Sequence, residues 1–344
     1  MADKQTEKED ACMEAVISSR VRLARNLEDL PFPCRNTAEQ AKEVAARVKD
    51  AVFGSGAMAD KFVYVDIREL NPIDRQALVE KHLISPEMLE EKKETGAIIS
   101  KDEKVSIMIN EEDHLRIQCL FQGMQLNKAW QLCDKINTLL EEKLDFAFSG
   151  NYGYLNSCPT NAGTGMRASV MLHLPALVMT GYIKNVLEAC GKLGVAVRGI
   201  YGEHSGASGN MFQISNQVTL GQSEEEILAS VNNVALQIIG QEKSLRNEVY
   251  KQNPYRFEDR VYRSLGIFAN ARIISSEESL KLLSDIRMGV DMGIIKNINM
   301  GKINEITLLI QPASLQKSAG RILSPEERDI KRAELIRSKL GKSE

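Results

Sequence analysis

Apolar and polar positions alternate through residues 16–25, VISSRVRLAR, which predicts a strand with Arg20 and Arg22 on one face and Val21 and Leu23 on the other. A helix is expected near 37–53, opening on Thr37 as its N-cap. KFVYVDI (61–67) carries a short strand pattern, and 72–93 reads as mostly helical with His82 in its middle. Two alternating runs in 104–121 flank the acidic tip Glu111–Glu112–Asp113, a hairpin pattern. LNKAWQLCDKINTLLEEKL (126–144) repeats its apolar positions at helical spacing, with Trp130 expected in core packing.

After a Gly/Pro/Thr-rich bend at 157–165, RASVMLHL predicts a strand and PALVMTGYIKNVLEAC a helix. VAVRGIY (195–201) is a further strand, ending in the glycine- and serine-rich stretch 202–210; MFQIS returns as a strand, and 223–252 is a long helix. Beyond Asn253–Pro254 strand patterns vanish, and 255–340 reads as several helices. The last opens on Ser324 as N-cap, with Pro325 at its first position and Glu327 completing a capping box. The expected fold class is α+β, an antiparallel-sheet domain over 1–250 followed by a smaller all-helical domain over 251–344.

Composition narrows the function only by exclusion. The 43% apolar and 26% charged content is that of an ordinary globular protein. A net charge of −3 gives no global reason to expect nucleic acid or an anionic membrane as partner. The polar N-terminus is not a secretory signal, and no apolar run approaches the ~20 residues of a membrane span. Six cysteines with no CxxC pair argue against a zinc site and a disulfide scaffold, so a cytoplasmic protein is expected.

Arg20, Arg22, Arg116, Arg167 and Arg198 all fall where strands meet loops. Two arginines side by side on one strand face repel unless an anion lies between them, and a polyphosphate suits such a site because guanidinium groups grip its oxygens in pairs. The chain has no GxxxxGK[ST], so a P-loop is excluded and side chains would hold the phosphates. The acids Glu111 and Glu112, with Glu203 in the glycine-rich stretch, could clamp a cationic acceptor. Cys158, in a bend facing arginines, would have its thiolate favoured. His114 reads equally as a site residue or a structural one, and His173 as core or support.

ISSRVRLARN, INEEDHLR, CPTNAGTGMRASV and VRGIYGEHS, in this order, resemble the catalytic domain of the phosphagen (guanidino) kinase superfamily. Within it the chain is most similar to the bacterial protein arginine kinases. Only 17 residues precede Ser18, in place of the helical N-terminal domain of the small-molecule enzymes, and RDIKRA (328–333) matches the RDxxRA motif of the narrower family. The resemblance implies ATP and Mg2+ as cofactors, the metal being held mainly by phosphates rather than by protein ligands. It implies nucleotide binding by Ser18, Ser19, Arg20, Val21 and Arg22, by His82 and Arg116, by Arg167, Ala168, Ser169, Val170 and Met171, and by Arg198, Gly199, Ile200, Tyr201, Gly202 and Glu203. Glu112, Cys158 and Glu203 are implied as catalytic, and Arg328, Asp329, Ile330, Lys331, Arg332 and Ala333 as an allosteric phosphoarginine site.

The same resemblance implies a homo-oligomer acting on protein arginines in stress response and protein quality control. Its implied partners are a zinc-binding activator protein, a Clp-type ATP-dependent unfoldase and a stress-gene repressor. An acceptor pocket open on one flank, admitting a protein-borne arginine, is expected. Two alternatives stand beside this reading: a kinase for a small free guanidino compound, and a non-catalytic phosphoarginine-binding adaptor.

Overall fold

A computed structural model describes residues 15–54, 56, 59–90, 94–199 and 208–340. Its strands are β1 (Val16–Arg25), β2 (Phe62–Asp66), β3 (Gly96–Ser100), β4 (Val105–Ile109), β5 (Leu115–Gln122), the short pair β6 (Phe148–Ser149) and β7 (Gly153–Tyr154), β8 (Met166–His173), β9 (Val195–Gly199) and β10 (Met211–Asn216). Among the described residues eight of them form one sheet in the order β2-β3-β4-β5-β1-β8-β10-β9, while β6 and β7 pair separately. The pairs β2–β3, β3–β4, β4–β5 and β1–β5 are all antiparallel. The α+β class expected from the chain is the class observed.

Local sequence explains most elements. Helix α1 (Ala38–Phe53) starts on the expected Thr37, whose Oγ accepts from Gln40 N while Gln40 Oε1 accepts from Thr37 N. Helix α3 (Leu126–Glu141) follows α2 (Pro72–Glu80) in the chain and buries Ala129, Cys133, Ile136 and Leu140 against β1 and β5, on the Val21–Leu23 face. Trp130 is only half-buried at the edge of that face, not in the core.

The helical pattern over 72–93 does not run through. Helix α2 stops at Glu80, because His82 takes a left-handed φ of 59° and closes the end with His82 N–H to Val79 O (2.8 Å) and Leu83 N–H to Leu78 O (2.9 Å). That is the doubly bonded helix stop in which glycine is usual. Ser106 Oγ donates to Leu83 O and Gln118 Nε2 to His82 O (2.7 Å), fastening this segment over the sheet face opposite α3. Beneath it Leu83, Ile84 and Met88 pack with Ile67, Ala97, Ile99 and Met108. The single helix expected after β8 is likewise two, α4 (Pro175–Met179) and α5 (Ile183–Lys192), interrupted at Gly181 with φ 78°.

Contacts divide the described residues of Met1–Val170, Cys190–Ala196 and Ile214–Ala235 from those of Met171–Ala189, Val197–Gln213 and Leu236–Glu344. The long helix is α6 (Glu224–Gln252), and helices α7 (Pro254–Asn270), α8 (Ser276–Asp291), α9 (Met300–Leu309), α10 (Pro312–Ala319) and α11 (Pro325–Leu340) follow it. Ser324 and Glu327 make the expected capping box at the start of α11. In the second unit, helix α8 is buried along most of its length and carries charge inward. Arg246 meets Glu242 (2.7 Å), Asp291 (3.2 Å) and His173 O (3.0 Å), and the Glu242 carboxylate caps α4 through Ala176 N and Leu177 N at 2.9 Å each. These groups are fully or nearly buried, and each ion is met by partners as burial of charge requires.

Candidate functional site: an arginine cluster beside an acid-tipped hairpin

The strand period puts Arg20 and Arg22 on one face of β1, and the register places Arg22 across from Gln118 and Ala24 across from Arg116 on β5. Arg167 joins them from the start of β8, the other neighbour of β1 in the sheet. Mutual repulsion shows how close these groups lie. Burial, then Arg116 and Arg167, pull the Arg20 pKa down to about 10. Arg22 is held well below the ordinary guanidinium value by burial first and then by Arg20, Arg116 and Arg167, with Glu111 pulling the other way. Burial and, after it, Arg20 lower His82 to about 4, so the imidazole is neutral at physiological pH.

Two carboxylates enter from the hairpin tip. Arg116 donates to Glu111 Oε1 at 2.7 Å and to Glu112 Oε2 at 3.0 Å, and Ser85 Oγ donates to Glu111 Oε1 at 2.8 Å. Glu111 is nearly buried, whereas the Glu112 side chain is 43% exposed and can meet a partner from solvent. Four guanidinium groups therefore share one region with two carboxylates, an excess of positive charge. Arg22 Nε is buried with no hydrogen-bond partner. A buried unmet donor amid like charges is what a phosphate oxygen would satisfy, so the residues present fit a polyanion such as the phosphates of ATP.

Cys158 opens a 3-10 turn, Pro159–Asn161, in the bend after β7, half-buried with Sγ 3.0 Å from Thr160 Oγ1. Asn161 Nδ2 reaches Glu112 Oε2 at 3.4 Å, bringing the bend to the hairpin tip. Backbone fixes the rest of it. Tyr154 N–H donates to Gly163 O (2.8 Å), and Thr219 Oγ1 lies within hydrogen-bond reach of Thr160 O (2.9 Å) and Ala162 O (2.6 Å). A β-carbon on Gly163 would sit 2.5 Å from Thr219 O, and one on Gly153 would sit 2.5 Å from Gly163 O.

The structure thus brings Arg20, Arg22, His82, Arg116 and Arg167 together, with Glu112 bound to Arg116 and the bend that carries Cys158 reaching Glu112 through Asn161. Of the other residues in the expected nucleotide segments, some are core and some are exposed. Val21, Ala168 and Val170 are core, and Ser19 Oγ donates to Gly123 O (2.7 Å) and accepts from Gln125 N (2.9 Å). Ser18 and Met171 are partly exposed, and Ser169 is buried with Oγ 3.4 Å from Arg20 O. Arg198 and Gly199 are exposed at the end of β9. Ile200, Tyr201, Gly202 and Glu203 lie outside the described residues.

In RDIKRA, Arg328 is half-buried and Ile330 is exposed. Lys331 pairs with Glu334 at 3.1 Å, and Ala333 is buried. Arg332, 1% exposed, spends its guanidinium on Ile310 O (3.0 Å), Ile274 O (2.9 Å) and Asp329 Oδ1 (2.5 Å). It ties α11 to the ends of two neighbouring segments.

His114 takes its structural reading. It is buried, Leu27 N–H donates to Nδ1 (3.0 Å), and Nε2 faces Pro31 O (3.0 Å). His173 is buried against Ser284 (2.7 Å), its pKa well below normal through burial and then Arg246 and Arg287. Asp113, read from the sequence only as part of the acidic tip, is buried instead, and Asn26 was not singled out. Both are buried in the layer under the acid tip, and nothing in their spacing marks them.

Residues 43–245 match the profile of the ATP:guanido phosphotransferase C-terminal catalytic domain, a span that includes Arg116 and Arg167 and places the chain in the guanidino phosphotransferase class. Residues 254–344 match the C-terminal domain of the protein-arginine kinase McsB. A protein-arginine kinase of Caldanaerobacter subterraneus subsp. tengcongensis is 50% identical over 96% of this chain and 98% of its own, and that of Bacillus subtilis (strain 168) is 49% identical over 95% and 90%. The crystal structure of a lombricine kinase, 25% identical, superposes with a TM-score of 0.61 over 69% of this chain and 68% of the other. The chain belongs to the protein-arginine kinase family. No described helix is long and apolar enough to cross a membrane, and no described cluster of three or more His, Cys, Asp or Glu could hold a metal ion.

Proposed function

We propose that this enzyme transfers the γ-phosphoryl group of ATP to arginine side chains of proteins, with Arg20, Arg22, Arg116 and Arg167 gripping the phosphates and Arg198 joining them. The observation that carries this reading is the half-buried cluster of like charges with a buried, unmet Arg22 Nε, which an anion would relieve. Bound ATP supplies the electrophilic phosphorus, and a magnesium ion held mainly by its phosphates offsets their charge. The four guanidinium groups orient the chain of phosphates and neutralise the equatorial oxygens of the moving group. Neutral His82 packs at the edge of the cluster without adding to its charge, on the nucleotide side.

The acceptor is a cation with no free lone pair, so it must be held flat and must lose a proton as the N–P bond forms. Glu112 takes that proton at a carboxylate oxygen, Glu203 holds the far side, and Cys158 lies against the acceptor. Phosphoarginine so made marks proteins for a Clp-type unfoldase and disables a stress-gene repressor, and a zinc-binding activator protein sets the rate. The helical domain from about residue 251 senses phosphoarginine through Arg328 and its neighbours, in a homo-oligomer in the cytoplasm.

The test is Glu112→Gln with a protein acceptor and phosphoarginine detected under acid-free conditions. A loss of 100-fold or more in kcat with the ATP KM held within about twofold is expected. A rate near wild type refutes the role given to Glu112.

A further inference from the structure

Asp113 follows Glu112 in the chain and is fully buried. Its Oδ1 accepts from the backbone N–H of Ser157 and from Asn26 Nδ2, each at 2.7 Å. Ser157 is the residue immediately before Cys158. Asn26 completes the frame: its Oδ1 accepts from His114 N (2.9 Å), and its Nδ2 also donates to Leu155 O (3.1 Å). One carboxylate oxygen therefore joins the hairpin tip that carries Glu112 to the bend that carries Cys158, at short, charge-assisted distances.

Packing alone does not call for a carboxylate here. Asp113 Oδ2, the whole Asn156 side-chain amide and Ser157 Oγ are buried with no hydrogen-bond partner, so the polar layer is incompletely met. A buried acid served on one oxygen is a costly strut, and an apolar side chain of the same volume would pack without that cost. What an apolar side chain could not do is hold Ser157 N–H, and through it fix where Cys158 stands relative to Glu112.

We propose that Asp113 is a positioning residue for the transfer, a buried strut that sets the spacing of Glu112 and Cys158 around the acceptor guanidinium. The proposal rests on the acceptor roles given to those two residues above. Because alignment of reacting groups to within about 1 Å is worth about 100-fold in rate, releasing the bend acts on turnover and not on nucleotide affinity.

The experiment compares Asp113→Ala with the isosteric Asp113→Asn, which keeps an acceptor for both donors. In Asp113→Ala, kcat falls 10- to 100-fold, the ATP KM stays within twofold, and iodoacetamide labels Cys158 faster, read residue by residue by mass spectrometry. In Asp113→Asn all three readings stay within about threefold of wild type. Wild-type kcat in Asp113→Ala overturns the proposal, as does an Asp113→Asn protein impaired to the same degree as Asp113→Ala. Should Asp113→Ala not fold, Asp113→Glu replaces it: an added methylene pushes the bend away, so a loss of at least tenfold is expected and full activity overturns the strut. Glu112→Gln and Cys158→Ala are measured in parallel. If both keep wild-type rates the acceptor assignment itself has failed, while the labelling rate of Cys158 still tests the strut.

Discussion

Replacing Arg20 with methionine should stabilise the protein in the absence of nucleotide. Four guanidinium groups crowd one partly buried region, and the fall of Arg20 from its ordinary pKa to about 10 reflects what burial and its neighbours Arg116 and Arg167 cost it. At neutral pH the group is protonated both folded and unfolded. Its lowered folded pKa therefore counts against the native state throughout that range, and the penalty fades only as pH climbs past about 10. Converted at 1.36 kcal/mol per pH unit, the penalty is about 3 kcal/mol. Methionine keeps the length and most of the apolar stem but carries no charge, and it forfeits the polar contacts of Arg20, so a net gain of about 1–3 kcal/mol is expected.

Trp130 is the only tryptophan in the chain and lies half-buried on α3, so its fluorescence reports urea unfolding around this sheet. For the wild type, ATP at about 100 times its Kd should add about 2.7 kcal/mol by mass action. Arg20→Met should start from a higher midpoint and gain far less from ATP. A variant that is less stable than wild type by 1 kcal/mol or more, yet responds to ATP in full, would refute the argument from stored repulsion.

Two other outcomes follow from the structure. His82 has a folded pKa of about 4 against an ordinary value near 6.5, so the unfolded chain binds a proton first and stability drops as pH falls from about 6.5 to about 4, by about 3 kcal/mol in all. His82→Gln should flatten that part of the urea-midpoint profile measured between pH 7.5 and 4. Arg332→Ala strips hydrogen bonds from Ile310 O and Ile274 O and leaves Asp329 without its partner, which should cost about 3–5 kcal/mol. Amide hydrogen exchange in α8 and α11 reads that loss, and unchanged protection there would contradict the role of Arg332 as a tie.

Much of this architecture was legible because strand and helix periods are local properties. Arg20 and Arg22 share a face for the same reason that Val21 and Leu23 share the other, and Thr37 and Ser324 announce their helices through side-chain chemistry that needs no tertiary partner. The convergence of Arg116 and Arg167 on them depends on register and strand order, which no window of sequence contains; motif resemblance supplied it. The end of α2 was illegible because a histidine occupies the left-handed position where glycine would have signalled a stop. Gly181 was visible, but an isolated glycine also occurs inside helices. Asp113 was legible only as one acid of the hairpin tip, because the partners that define its role, Asn26 and Ser157, lie 87 and 44 residues away. Arg332 looked like a ligand contact in its motif, and only the fold reveals how fully its guanidinium is engaged by backbone.

The glycine pair Gly153 and Gly163 gives the bend around Cys158 an unexpected character. A stretch so rich in glycine, threonine and proline would pass for slack rope, yet main chain rests on main chain there with no room for even a methyl group, and Thr219 pins it from the other flank. A thiol mounted on such masonry surrenders its freedom when the chain folds, long before any acceptor arrives, and little disorder is left to quench at the moment of encounter.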